Sequence, residues 1–308
     1  MRLGPREVPA PTLILVALAA AIAVALVIGG ATSAAAFSPF NPGWEGLSEF
    51  NDVADETGID RETITDAAAY NDLPGEGTIA VIIEPGTYSE QEIDAIAGFL
   101  DRGGTVVIAT REPAPGGELL AALGSDIAID GDSLRDDREY DPTPDFPRVT
   151  NVANDSVAEN AEGMTLNHGT ALTLQGDARP VANSSRYSYL DRNNDGSPGN
   201  DDELGARPVV AVDDVGEGTV IAVSDPSVFI NAMLERDGNR ALAAGILAEG
   251  QLAVIDRSAD DIPPLTYLFL VIRGSPLLAV GVIAGFIAGL VAWERGYLQR
   301  FTQRVTQD

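Results

Sequence analysis

The sequence predicts an α/β domain that carries a β-rich insertion and is flanked by two transmembrane helices. Three observations lead there. Two apolar segments without a charge, residues 11–30 and 275–293, stand near the ends of the 308-residue chain, each close to the ~20 residues a helix needs to cross a bilayer. Between them, two β-branched runs are separated by a capped amphipathic helix, which is the order of a βαβ unit. Residues 125–208 then break that rhythm with Pro, Asp, Asn and Gly and with short alternating pieces.

The arginines orient the two segments. Arg2 and Arg6 precede the first, and Arg295, Arg300 and Arg304 follow the second. The positive-inside bias therefore puts the tails at 1–10 and 294–308 in the cytoplasm and a domain at 37–262 outside, with 264–293 as a membrane-associated segment that includes the second span. Arg273, on the outer side, weakens the bias slightly. The first segment also fits a cleaved signal peptide, because its arginines, apolar run and Ala34-Ala35-Ala36 match the parts of one. Both readings export the domain. Within the spans, Ala17, Ala21, Ala25 and Gly29 recur every four residues, as do Gly281, Gly285 and Gly289. That spacing lets helices approach closely, although an Ala- and Gly-rich composition produces it too.

Composition narrows the chemistry. The net charge is -28, and the 19 basic residues are all Arg, with no Lys. Residues 37–262 hold 44 acidic and 13 basic residues, so nearly all the acid sits in the domain. Such a surface resembles those of proteins from salt-loving archaea, where molar salt screens the self-repulsion. It excludes nucleic acid as a partner, since phosphate binding needs basic patches and these arginines do not cluster. Without Cys there is no thiol nucleophile or Cys-ligated metal, and without Lys no Schiff base and no phosphate-binding P-loop. The one histidine, His168, lies in the polar loop Asn167-His168-Gly169-Thr170, and no Gly-x-Ser-x-Gly elbow accompanies it. It reads as a turn histidine.

The elements follow in order. A helical pattern runs from Gly46 through Leu47, Phe50, Val53 and Ala54 to a stop at Gly58. Residues 78–84 (TIAVIIE) form the continuous apolar run of a strand buried on both faces. Ser89 with Glu92 forms a capping box, and Ile93, Ile96, Ala97 and Leu100 give the helix one apolar face before Gly103-Gly104 ends it. A second buried strand at 105–109 (TVVIA) and a short helix at 118–123 come next. Inside the insertion, residues 172–174 and 187–190 alternate as strands do. The α/β pattern returns with strands at 208–212 and 219–223 around Gly216-Glu217-Gly218, then a helix from Asp225-Pro226-Ser227 through Phe229, Met233 and Leu242.

The string YSEQEIDAIAGFLDRGGTVVIATR (residues 88–111), joined to GEGTVIAVSDPSVFINAMLERDGNRALA (residues 216–243) and a closing apolar helix, resembles the membrane-protein family catalogued as domain of unknown function 4350. The resemblance covers residues 45–300. It implies a three-layer, Rossmann-like domain similar to class I glutamine amidotransferases, a scaffold also found in auxiliary subunits of gliding-motility-type ABC transporters and in an intraflagellar transport protein. The amidotransferase triad of Cys, His and Glu has no place here, because the chain has no Cys. The resemblance thus supports the scaffold and argues against the reaction.

Two places carry candidate sites. In open parallel sheets ligands bind beyond the carboxyl ends of the strands, which gathers Glu84, Arg111 and Asp225 on one rim; the alternative is that Arg111 pairs with a neighbouring acid and Asp225 caps the following helix. The run Asp191-Arg192-Asn193-Asn194-Asp195-Gly196, with Asp202 at the twelfth position, has the oxygen spacing of a calcium loop. Asp191, Asn193, Asp195 and Asp202 are therefore the candidate ligands of a possible Ca2+, the one cofactor the sequence suggests, and a flexible acidic turn is the alternative. The expected function is that of a non-enzymatic, membrane-anchored binding or assembly component. The resemblance implies membrane-protein partners, an ABC transporter or a MoxR-type ATPase system. An extracellular solute- or glycan-binding sensor and a carboxylate-based hydrolase are the other readings, although no acid pair stands out by spacing.

Overall fold

The structure is a computed structural model that describes residues 35–199 and 202–259, together with Gly281 and Gly285. Residues 35–259 belong to one compact unit. Among the described residues no helix is long and apolar enough to cross a membrane. Both apolar segments, and with them Ala17, Ala21, Ala25, Gly29 and Gly289, lie outside those residues. Gly281 and Gly285 are helical and exposed.

The domain is a mixed α/β fold on a large, mostly parallel sheet. Its elements are α1 (Ser48–Thr57), β1 (Asp60–Ile64), β2 (Thr78–Ile83), α2 (Glu90–Leu100), β3 (Thr105–Ala109), α3 (Glu118–Ala122), β4 (Ile127–Ile129), β5 (Ser133–Asp136), β6 (Asn151–Val152), β7 (Leu172–Leu174), β8 (Arg179–Asn183), β9 (Ser188–Asp191), β10 (Pro208–Val215), β11 (Gly218–Val223), α4 (Asn231–Leu234), α5 (Asp237–Ala248) and β12 (Leu252–Asp256). The main sheet runs β1-β12-β2-β3-β11-β10-β8-β6. The first five of these are parallel, and the last three join antiparallel.

Burial on both faces explains the unbroken apolar runs. Alternate residues of one strand serve opposite layers: Ile79, Val81, Val107 and Ile221 pack with Phe50 of α1 and Leu242 and Ile246 of α5. Ala80, Ile82, Val106 and Ile108 pack with Ile96 and Phe99 of α2 and with Tyr70. The capping box forms as expected, Ser89 Oγ accepting from Glu92 N and Glu92 Oε2 from Ser89 N. Gly58 closes α1 in the left-handed region at φ 74°.

Four features depart from the sequence reading. The run at 219–223 lies parallel to β3, but its hairpin partner β10 is antiparallel, so the sheet is mixed. The insertion is not wholly separate, because β8 and β6 extend the main sheet beyond β10. The helix after Asp225 is broken into a 3-10 turn at Pro226–Phe229, then α4 and α5, with extended backbone at Ile230 and Arg236. Asn231 explains the first break: its Oδ1 accepts from Glu49 N at 2.8 Å, capping α1 from outside, and its Nδ2 donates to Gly43 O at 2.6 Å. Finally, β1 and β12 went unread. Residues 60–64 (DRETI) form an exposed edge strand without alternation, whereas 252–256 (LAVID) is a buried central strand whose run is only five residues long.

Candidate functional site

The ends of β2, β3 and β11 are neighbours in the sheet, and the residues that follow them are Glu84, Thr110-Arg111-Glu112 and Ser224-Asp225. Glu84 leaves β2 with φ 49°, a conformation unusual for a residue with a side chain and one that collects at functional sites. Its N–H still donates to Ala109 O at 2.8 Å, which ties the strained residue to β3. Its Oε2 is buried without a hydrogen bond. Burial raises its pKa above the usual carboxylate range, the charge of Glu112 raises it further, and Arg111 opposes both.

Arg111 stands at the centre of this edge. Its Nε donates to Glu112 Oε1 at 3.2 Å, and its Nη1 makes a long contact of 3.4 Å with His168 O. Both side chains of the pair are about half exposed, 49% and 47%, so the pair adds little to stability. Asp225 is fully buried. Its Oδ1 accepts from Ser227 N, which caps the 3-10 turn, and its Oδ2 accepts from Asn167 N at 2.5 Å. Burial pushes its pKa up to about 6, while the two backbone donors and the charge of Arg111 work the other way.

A cavity of about 180 Å³ opens at this edge, lined by Arg111 and Glu112, by Gly131 and Ser133, and by His168, Gly169 and Thr170. Asp225 and Glu84 are not in its wall. The 167–170 loop is laid against the strand ends by backbone bonds: Thr170 N donates to Ser224 O and His168 N to Asp145 O, both at 3.0 Å. Gly169 is required by close approach, since a Cβ there would lie 2.9 Å from the Cβ of Asp225. His168 adopts φ 57°. Its half-exposed ring meets Phe146 edge-on at a centroid distance of 5.4 Å. Thr170 Oγ1 donates to Asp132 O and accepts from Gly131 N, which joins this loop to the turn before β5.

The structure thus places Arg111 in a cavity wall, with Glu84 near enough to feel its charge and Asp225 tethering the loop opposite. Ser133, His168 and Thr170 were not foreseen as parts of one site. His168 does sit in a turn, as its Gly-containing surroundings suggested, but only the tertiary fold brings residue 168 to residue 111.

The acidic loop is held by hydrogen bonds among its own residues and by Arg135. Asp191 ends β9 almost fully buried, where its Oδ2 faces Arg135 Nε at 2.7 Å and its carboxylate accepts from Asp195 N and Gly196 N. Asn193 Nδ2 donates to Asp195 Oδ2, and Asp202 Oδ2 accepts from Gly199 N, both at 2.9 Å. Among the described residues no group of three or more His, Cys, Asp or Glu side chains is placed to hold a metal ion.

Fold and site together define an α/β domain with a polar cavity at the ends of its parallel strands. The chain belongs to the family described as Domain of unknown function (DUF4350), whose model matches residues 39–247. A comparison with curated proteins finds no match. Among solved structures, the chain is similar to the mmIFT52 N-terminal domain, at 16% identity over 62% of this chain and 76% of that one, with a TM-score of 0.39. It is also similar to Cytoplasmic Protein STM1381 from Salmonella typhimurium LT2, at 15% identity over 66% of this chain and 86% of that one, with a TM-score of 0.41. An exo-beta-1,4-mannosidase from Opitutaceae bacterium strain TAV5 matches at 16% identity and a TM-score of 0.31, over 54% of this chain and 24% of the enzyme. Scores this low carry no conclusion about this chain.

Proposed function

We propose that the chain is a non-enzymatic, membrane-anchored component whose extracytoplasmic domain binds a small polar ligand at the strand-end cavity. The observation that carries the binding reading is that cavity, with the half-exposed Arg111 in its wall beside Glu112, Ser133 and His168. The apolar segments at 11–30 and 275–293 and the flanking arginines support the anchor and its orientation, with both ends in the cytoplasm. The amidotransferase-like scaffold and the salt-loving archaeal setting belong to the same reading, supported by the sequence resemblance and by the charge of -28. Calcium at the Asp191 loop is no part of it, because Arg135 already meets that carboxylate.

The accessory role in a transporter or ATPase system belongs to the same reading, and the sequence resemblance at residues 88–111 and 216–243 supports it. Affinity purification of the tagged chain from its native membrane in molar KCl, with mass spectrometry of what accompanies it, tests this. A stoichiometric transporter or ATPase subunit is the expected result. A chain recovered from membranes alone overturns the accessory role, and one recovered from the soluble fraction overturns the anchor.

A further inference from the structure

The groups that line the cavity divide into those already engaged and those that are not. Thr170 Oγ1 both donates and accepts within the wall, so its hydroxyl is spent. Arg111 uses Nε on Glu112 and Nη1 on the distant His168 O, and its Nη2 meets nothing among the described residues. Glu112 engages Oε1 alone, and Ser133 Oγ has no hydrogen bond there. Beside them, Glu84 keeps a buried Oε2 with neither a hydrogen bond nor an ion pair, an arrangement that costs free energy until a donor arrives. The other carboxylate oxygen found in that condition by hydrogen bonding, Asp145 Oδ1, is met by Arg135.

We propose that this cavity takes a small monocarboxylate carrying hydroxyl or ammonium donors, its carboxylate on Arg111 and its donors toward Ser133 and Glu112. The proposal rests on the binding reading above and gives it a ligand class. The unengaged Nη2 of the guanidinium can donate to an oxyanion. One negative charge is the limit, because a second would lie against Glu112 in a domain already dense with carboxylates. A neutral sugar would satisfy the acceptors but bring no anion to the unengaged Nη2 of Arg111. Size agrees: at ~30 Å³ per water, 180 Å³ is room for about six waters, a hydroxy acid, an amino acid or a single sugar acid.

His168 makes the test direct, since it is the sole histidine of the chain and lines the cavity. Full-length protein carrying isotope-labelled histidine, held in detergent and molar KCl, gives one set of ring signals to follow while glycolate, glycine, acetate, inorganic phosphate or glucose is added. Glycolate or glycine should shift the ring signals saturably, with acetate at least ~5-fold weaker and phosphate and glucose weaker still. Arg111→Gln should weaken glycolate and glycine ~10-fold or more with an unchanged unfolding midpoint, and Ser133→Ala, which touches no structural bond, should weaken them a few-fold. If Arg111→Gln fails to fold, Ser133→Ala and Glu112→Gln decide in its place. Saturable binding of phosphate or glucose with equal or higher affinity overturns the carboxylate class and leaves the cavity a binding site. No saturable shift with any probe overturns both readings.

Discussion

In the parallel half of the sheet, β2, β3 and β11 are apolar and buried along almost their whole length, whereas the insertion sets buried polar groups among core residues such as Leu134, Val149, Met164 and Leu166. There Asp136 accepts from Arg138 N, Glu139 N and Ser185 Oγ, Ser184 and Ser188 share a hydrogen bond at 2.6 Å, and Asp191 pairs with Arg135. Among the described residues five aspartates are buried, and only Asp191 meets an arginine; the others are met by hydroxyl and backbone N–H donors. Asp256 with Tyr70 and Tyr88, and Asp213 with Ser125, repeat the pattern inside the main sheet. A carboxylate hydrogen-bonded in this way fixes geometry more than it adds stability, so apolar burial should carry the fold and the polar networks should shape the insertion.

The largest effect should therefore come from the parallel half. Phe99 of α2 is fully buried, packed at 5.5 Å on Tyr70 and close enough to Gly104 that a Cβ there would stand 2.4 Å from its ring. Phe99→Ala should cost roughly 3–5 kcal/mol, read as a shift in the denaturant midpoint of the domain at constant salt. A loss comparable to that of a surface substitution would break the comparison at its stronger side.

Asp225 stands at the seam, tying the 167–170 loop of the insertion to the end of β11. Its pKa rises from 3.8 to about 6, so folding favours the protonated form. Its contribution to stability is thus full below about pH 4 and is lost as pH rises through about 6, a change of about 3 kcal/mol for a shift near two units. Glu84, also raised, acts in the same direction. Stability measured between pH 8 and 5 should increase as pH falls. In Asp225→Asn that slope should shrink to the part Glu84 supplies. The variant's overall stability should drop as well, because an amide offers one oxygen to two backbone donors. A slope unchanged by the substitution would remove Asp225 as its source.

What the sequence made readable follows the same division. The buried strands at 78–83 and 105–109 and the helix capped by Ser89 could be read because continuous apolar runs and a capping box are local signals. Arg111 could be placed at a strand end for the same reason. The rest depends on distant partners: Asn231 breaks a helix by bonding residues 41–49, and His168 enters the cavity only because Asp225, Asp145 and Ser224 hold its loop. The Asp191 loop is another such case, since its spacing suggested calcium ligands and could not show that Arg135 also meets its first carboxylate. A periodicity does not show which cation a carboxylate will meet.

The insertion should give the smallest and most local effect. Asp136 is fully buried at the end of β5, and Asp136→Ala strips the acceptor from two backbone N–H groups and the Ser185 hydroxyl. The backbone donors belong to exposed Arg138 and half-buried Glu139, where water can replace part of what is lost, so the cost should be about 1–3 kcal/mol. Hydrogen exchange separates this from a global change: protection should fall in β5 and β9, which pair with each other outside the main sheet, while amides of β2 and β3 keep theirs. Equal loss across both regions would mean that the polar network supports the whole domain, and the division between an apolar scaffold and a polar insertion would then fail.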